Sequence, residues 1–289
     1  MNQLQFKSIL RSAVIAALPL ATQIGCNSST NTVVKPDPCQ SGKVSAACPR
    51  IPVAVPGRMP NGLHLKNDSM TTQSSVNVLG QYLVDMTAME TAAITAFHYL
   101  SLELEAYDAP QALIARAREA VIEEARHAEM AAQLAAAYDL DMKEVTVDAF
   151  TLRPLYQIAL ENAVEGCINE TFAAACGLWQ SELAQHDVFR MAIGDITEDE
   201  LGHAALSWDI HQWVMPQLSQ VEQERIRVAQ AEAVDNLVND FKQESNPVLQ
   251  QAFGLPTKDD AARLFAELKD SVWEMVSLPS STNAVLVQA

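Results

Sequence analysis

Glu124-Ala125-Arg126-His127 and Glu200-Leu201-Gly202-His203 are two copies of one pattern, a glutamate three positions before a histidine. Residues i and i+3 of an α-helix share a face, so each copy aims a carboxylate and an imidazole at one spot. That pair of donors suits a divalent first-row metal such as iron or manganese. The chain has six histidines. The other four (His64, His98, His186 and His211) have Asn61, Thr95, Leu183 and Trp208 three positions earlier, so the pattern is confined to the two copies.

The composition favours helices around these copies. Of 289 residues, 49% are hydrophobic and 6% aromatic, only ten are glycine, and alanine-rich runs fill the middle. This argues for an all-α fold over a β-sheet protein. The length allows one large domain or two small ones. A net charge of −17 repels nucleic acid and excludes it as an expected partner. The cysteines (Cys26, Cys39, Cys48, Cys167 and Cys176) form no Cys-x-x-Cys pair, which excludes zinc ribbons and thioredoxin-like motifs.

Residues 75–107 carry Leu79, Leu83, Met86, Ala93, Phe97 and Leu100 at helical spacing. The gap in that stripe falls at Glu90. A carboxylate on a face meant for burial is costly unless something pairs with it, so Glu90 is a ligand candidate; the alternative is a solvated glutamate at the stripe's edge. Asp108-Ala109-Pro110 breaks the chain, and Pro110 opens a second helix reaching about Tyr138, with Asp108 as candidate cap. Glu123 stands three before Arg126 and is placed to pair with it, leaving Glu124 for His127. In an antiparallel hairpin turning near 108–109, Glu90 lies about 18 residues before the turn and Glu124 about 15 after. At ~1.5 Å per residue they differ by ~4–5 Å in level.

Residues 140–153 form a linker. Fully extended it reaches roughly 46 Å at ~3.3 Å per residue, enough to run beside a helix of about 28 residues, ~42 Å long. A third helix spans roughly 154–184 and a fourth about 188–215. The third offers two glutamates. Glu165 shares a face with Ile158, Ile168, Phe172 and Trp179; Glu170 shares one with Ala163, Cys167, Ala173 and Ala174. The separation from Glu165 to Glu200 best matches that from Glu90 to Glu124 and favours Glu165, with Glu170 kept as a second ligand or supporting carboxylate. Cys167 and Cys176 lie ~13 Å apart in rise on this helix, too far to bridge, and read as core thiols.

Two Glu-x-x-His pairs, a lone glutamate on each of two other helices and a long second connection resemble the ferritin-like superfamily, the group of bacterioferritin and rubrerythrin. The resemblance covers residues from about 75 to 215. It implies a four-helix bundle with a long crossover between helices 2 and 3. It further implies two iron (or manganese) ions held by Glu90, Glu124, His127, Glu165 or Glu170, Glu200 and His203, reacting with O2 or peroxide. The four-cysteine iron site usual in rubrerythrin-type peroxidases has no counterpart here, so an external electron donor is expected. Three functions compete: an oxidoreductase, a non-catalytic metal-binding or structural helical lipoprotein, and a ferroxidase for iron storage. Residues 217–289 form a C-terminal extension with two further helices, over 218–244 and from a Thr257-Asp260 cap to about Val276, that pack on the bundle or on another subunit. Pro247 and Pro256 bracket a loop between them.

Residues 1–25 read as an export signal, with Lys7 and Arg11 before an apolar run from Ala13 to Ala21. Gly25-Cys26 resembles a bacterial lipobox, departing from it at Gln23, and makes Cys26 a lipidation candidate that would anchor the protein at the periplasmic face or outer membrane. Residues 26–73 are rich in Ser, Thr, Asn, Pro and Gly and read as a tether. Within it Cys39 and Cys48 are placed to form a disulfide in an oxidising compartment.

Overall fold

Helix-forming sequence runs through most of the chain, and the all-α expectation holds: among the described residues the only strands form one small two-stranded sheet. The computed structural model describes residues 3–17, 58–66, 78–241 and 244–273. Cys26, Cys39 and Cys48 lie outside the described residues, as does most of the tether. No described helix is long and apolar enough to cross a membrane.

The first helix, α1 (Gln3–Ala17), buries Phe6, Leu10, Ala13, Val14 and Ala17. These side chains join one apolar cluster with Trp179, Leu201, Leu264, Leu268 and Trp273. On its other face Lys7 and Arg11 both pair with Glu198. Of the expected export signal, Gln3–Ala17 is therefore a docked helix in this structure.

Strand β1 (Leu63–Lys66) follows, inside the region expected to be a tether. Then α2 (Val78–Ala106) and α3 (Gln111–Ala135) form a hairpin, packed through Phe97, Leu100 and Leu104 against Leu113, Ile114 and Ala117. Its turn corrects one expectation. Asp108 adopts a left-handed backbone with φ 51°, and the Ala109 N–H donates to the Leu104 carbonyl at 2.9 Å. Asp108 thus closes α2 instead of capping α3; aspartate is among the few residues that accept this geometry readily.

The connection after α3 runs the length of α2. Tyr138 and Leu140 press on Gly80, where a Cβ would lie 2.6 and 2.7 Å from their side chains. Further on, the Tyr99 hydroxyl donates to the Asp148 carbonyl at 3.0 Å and the Tyr107 hydroxyl to the Arg153 carbonyl at 2.8 Å. Gly80 to Tyr107 is ~40 Å of helix. Midway, β2 (Glu144–Val147) pairs antiparallel with β1, Leu63 opposite Val147. The partner that makes 63–66 a strand lies about 80 residues away, which is why a local reading along the tether misses it.

The third rod is continuous but not uniform. It starts as α4 (Leu155–Glu161), passes through a π-helical stretch at Asn162–Glu170 and finishes as α5 (Thr171–Leu183). The fourth is α6 (Asp187–Val214), capped by the His186 ring, which accepts from the Phe189 N–H at 3.2 Å. Gly166 in the π-helical stretch allows the two rods to close: a Cβ there would sit 2.6 Å from Cβ of Ser207. Beyond lie α7 (Gln220–Asp240), α8 (Pro247–Phe253) and α9 (Lys258–Leu268), the last running into a π-helical end at Lys269–Trp273. The expected Thr257–Asp260 capping box is present. The expected loop between Pro247 and Pro256 instead contains α8, because Asn246 caps the Val248 N–H, Pro247 fits a first helical turn, and Gly254 closes the end at φ 67°.

Candidate metal centre

Five glutamates are buried among the described residues: Glu90, Glu103, Glu124, Glu170 and Glu200. Glu103 shows what a structural buried glutamate looks like. Arg153 clasps it with two hydrogen bonds of 2.7 Å each, one to each carboxylate oxygen. Glu90, Glu124 and Glu200 have no such clasp; no oxygen of the three has a hydrogen-bond partner.

These three carboxylates and His127 converge, with one ligand atom from each lying within 4.8 Å of the others. Helix lengths bring them level. Glu90 is about 16 residues before the end of α2 at Ala106, and His127 about 16 after the start of α3 at Gln111. Nδ1 of His127 lies 3.7 Å from Glu90, 3.6 Å from Glu124 and 3.4 Å from Glu200. His203 adjoins the group, its Nδ1 3.2 Å from Glu124 and 3.6 Å from Glu200. Neither Nδ1 has a hydrogen-bond partner.

The outer nitrogens are tied down in a crossed arrangement. Nε2 of His127 contacts Asp199 at 2.9 Å, and Nε2 of His203 contacts Glu123 at 2.8 Å. Each imidazole is thus held by the carboxylate that immediately precedes the other copy's glutamate. The expected Glu123–Arg126 pair is replaced: Arg126 pairs with Asp199. Carboxylates behind metal-binding imidazoles fix the ring and leave the inner nitrogen free to bind. The signal for both was present one position upstream, in Glu123-Glu124 and Asp199-Glu200.

Of the two third-rod candidates, Glu170 is the buried one, and its carboxylate feels the charges of His203 and Glu200. Glu170 is about 13 residues before the end of α5 at Leu183, level with Glu200 about 13 after the start of α6 at Asp187. It is buried, accepts from the Ser207 hydroxyl at 2.7 Å through Oε2, and has no partner on Oε1. Glu165 is partly buried and turns to Asn169, accepting from its side-chain amide at 3.2 Å. Equal sequence separations would favour Glu165 only if both hairpins had the same turn and ligand level. The second has a shorter break between helices, and Glu170 closes a π-helical stretch, a feature that frequently marks functional positions.

Arg58, from the chain just before β1, is buried beside Glu170. Its Nη1 lies 3.8 Å from Glu170 Oε2 and 3.4 Å from the Ser207 hydroxyl, and its Nη2 donates to Asn162 Oδ1 at 3.2 Å. The guanidinium also covers the Phe97 ring at 5.6 Å, and that ring in turn packs on His203. Cys167 and Cys176 are free and buried.

The electrostatics follow from crowding. Burial, with the charges of Glu124 and Glu200, pushes Glu90 well above the usual carboxylate range, although His127 pulls it down. Burial raises Glu170 to about 7, with Arg58 and His203 opposing it. Burial disfavours charge on both imidazoles, yet the carboxylates facing them win: His127 is pushed up to about 12, and His203 well above its ordinary value. Glu200 goes down against its own burial because His203 and His127 face it. Two like charges 4–5 Å apart repel by about 3–4 kcal/mol at an effective dielectric of 20. A group of buried acids with unpartnered oxygens therefore calls for positive charge, and the buried Glu/His group could hold a metal ion. No protein-family profile, curated protein or solved structure matches the chain.

Proposed function

We propose that this is an exported ferritin-like protein in which Glu90, Glu124, His127, Glu170, Glu200 and His203 hold two iron or manganese ions, and that it is an oxidoreductase using O2 or peroxide. The observation that carries the reading is a set of nine buried side-chain atoms on those six residues, none with a hydrogen-bond partner. A buried polar atom without a partner costs roughly 1–3 kcal/mol, and nine in one place make sense when cations complete them. Four carboxylates neutralise two divalent ions, and two imidazoles supply the nitrogen donors that first-row metals favour. The lone glutamates on the first and third rods and the Glu-x-x-His pairs on the second and fourth match the ligand pattern of four-helix di-iron proteins.

When bound, the metals would supply the electrons and Lewis acidity for reducing the oxidant. The chain's own part is to hold the ligands still. Asp199 and Glu123 fix the imidazoles, Ser207 orients Glu170, and Phe97 and the close-packed rods keep water away. Electrons come from an external donor, since the chain has no four-cysteine iron site. Export and acylation at Cys26, with a Cys39–Cys48 disulfide in the tether, complete the proposal and would put the centre in an envelope compartment.

The test is elemental analysis of purified protein after loading with Fe(II) without oxygen, or with Mn(II). About two ions per chain are expected, and His203→Ala should lower the count. Less than one ion per chain in the unaltered protein would sink the reading. Two ions with no consumption of peroxide or O2 in the presence of a reductant would reduce it to metal binding without catalysis.

A further inference from the structure

Arg58 is a buried cation where the ligand set already calls for metal charge. It comes from a segment with no helical pattern, reaches between the rods, and is as buried as any core side chain. Its grip on Glu170 is loose. Arg153 holds Glu103 by two contacts of 2.7 Å, whereas Arg58 stands 3.8 Å from Glu170 and 3.2–3.4 Å from two neutral partners, with its Nε unpartnered. Among the described residues no arginine or lysine pairs with the other half of the site: the ion-pair partners of Glu90, Glu124 and Glu200 are the two imidazoles.

We propose that the Arg58 guanidinium is the resident counter-charge of Glu170, so that the two halves of the centre load in sequence and the second ion binds by displacing Arg58. This rests on the dinuclear reading above. The first ion binds among Glu90, Glu124, His127 and Glu200, where no fixed cation competes. The second, on Glu170 and His203, meets a guanidinium already neutralising its carboxylate. A divalent ion replaces it because it brings twice the charge and can be ligated directly. The guanidinium must then move, and its segment has a fixed point close by: β1 is bonded to β2 from Leu63 onward, which bounds the change on that side. Arg58 acts as a positioning residue that sets the loading order.

The experiment is equilibrium dialysis of metal-free full-length protein against Mn(II), reading ions per chain, for the unaltered protein, Arg58→Met and Arg58→Lys. The unaltered protein should load in two steps, the second at least tenfold weaker. Arg58→Met should tighten the second step about tenfold or more and leave the first unchanged. Arg58→Lys should keep two steps. In parallel, hydrogen exchange of the backbone amides at 58–62 in the unaltered protein should rise only with the second ion, a readout that needs no variant to fold. Identical loading of the unaltered and Arg58→Met proteins, or exchange indifferent to the second ion, overturns the role of Arg58 while leaving a two-ion centre intact. Less than one ion in every protein instead overturns the dinuclear reading and this proposal with it.

Discussion

The two Glu-x-x-His copies are near twins in sequence and opposites in surroundings. The first, on α3, faces Glu90 from a regular helix, in a space whose oxygens have no partners. The second, on α6, faces Glu170 from a π-helical stretch, with Arg58, Asn162 and Ser207 threaded beside it. The second is also covered from outside: Gly202 lies under α1, its would-be Cβ 3.5 Å from the Gln3 amide and 3.9 Å from the Lys7 ammonium. An identical motif therefore defines which atoms can bind, while the neighbouring segments define how readily they do so.

The largest expected effect concerns that cover. Phe6, Leu10 and Val14 of α1 are buried, and burial of such side chains contributes about 1.5–3 kcal/mol each. Export with acylation at Cys26 would remove α1, so the contrast is between the unprocessed and the processed chain: even after the cost of ordering the helix, a chain begun at residue 18 should lose about 4 kcal/mol in a urea melt. If it melts like the full chain, α1 rests on the domain without supporting it, as a leader destined for removal would.

Next comes the contrast between a paired and an unpaired buried acid. Glu103→Ala should destabilise the protein by about 1–2 kcal/mol, since it removes two charge-assisted hydrogen bonds while Arg153 keeps Glu161 as a partner, and should leave metal uptake alone. Glu90→Gln should act in the opposite sense. Without metal it should stabilise by about 1 kcal/mol, because Gln supplies, with no proton uptake, the neutral form that burial beside Glu124 and Glu200 imposes on Glu90; with metal it should lose most of the metal-linked stabilisation. Denaturant melts of both variants with and without Mn(II) decide it, and a Glu90→Gln variant that is less stable without metal would break the comparison.

Metal itself should raise the melting temperature of the metal-free protein. At an ion concentration of about 100 times Kd the gain is about 2.7 kcal/mol, on the order of 5–10 °C for a chain of this size. The gain should grow with pH. His127 has its folded pKa raised to about 12 from 6.5. Its contribution in the metal-free state is fully present below about pH 6.5 and declines as pH rises toward 12. A metal takes the place of that proton, so affinity should increase about tenfold per pH unit for each proton released. Calorimetric titrations in buffers of different ionisation enthalpy between pH 6 and 8 would count those protons; a count of zero contradicts the assigned protonation.

The smallest effects belong to the crossed carboxylates. Asp199→Asn and Glu123→Gln should each weaken metal binding by roughly 10- to 100-fold while leaving the fold intact by circular dichroism. Each substitution should act on the imidazole of the opposite copy. Spectra of Co(II)-loaded variants would show which half is perturbed.

Most of the scaffold was legible from residue spacing, because long apolar stripes and proline-marked breaks are local signals. Glu90 could be singled out for the same reason: it interrupts a stripe. Glu170 could not be preferred over Glu165, since a π-helical stretch changes which side chains face inward and leaves no local mark in Asn162–Glu170. Arg58 lies in a Pro- and Gly-containing stretch with no period at all, and its place depends on β1 finding β2 far along the chain. The role of Glu123 was obscured by a good local partner, Arg126, which the folded chain gives to Asp199 instead. Each of these turns on a contact between segments distant in sequence.

The exchange of carboxylates between the two imidazoles has one more implication. Each helical hairpin carries one of the two imidazoles, and neither holds its imidazole in place by itself, because the acid that orients it is supplied by the other. Tight metal affinity can therefore emerge only after the hairpins have docked, and the ion becomes a gauge of completed assembly: a chain caught half-folded would pass through a metal-rich medium largely unmarked, and one that has closed would be clamped shut.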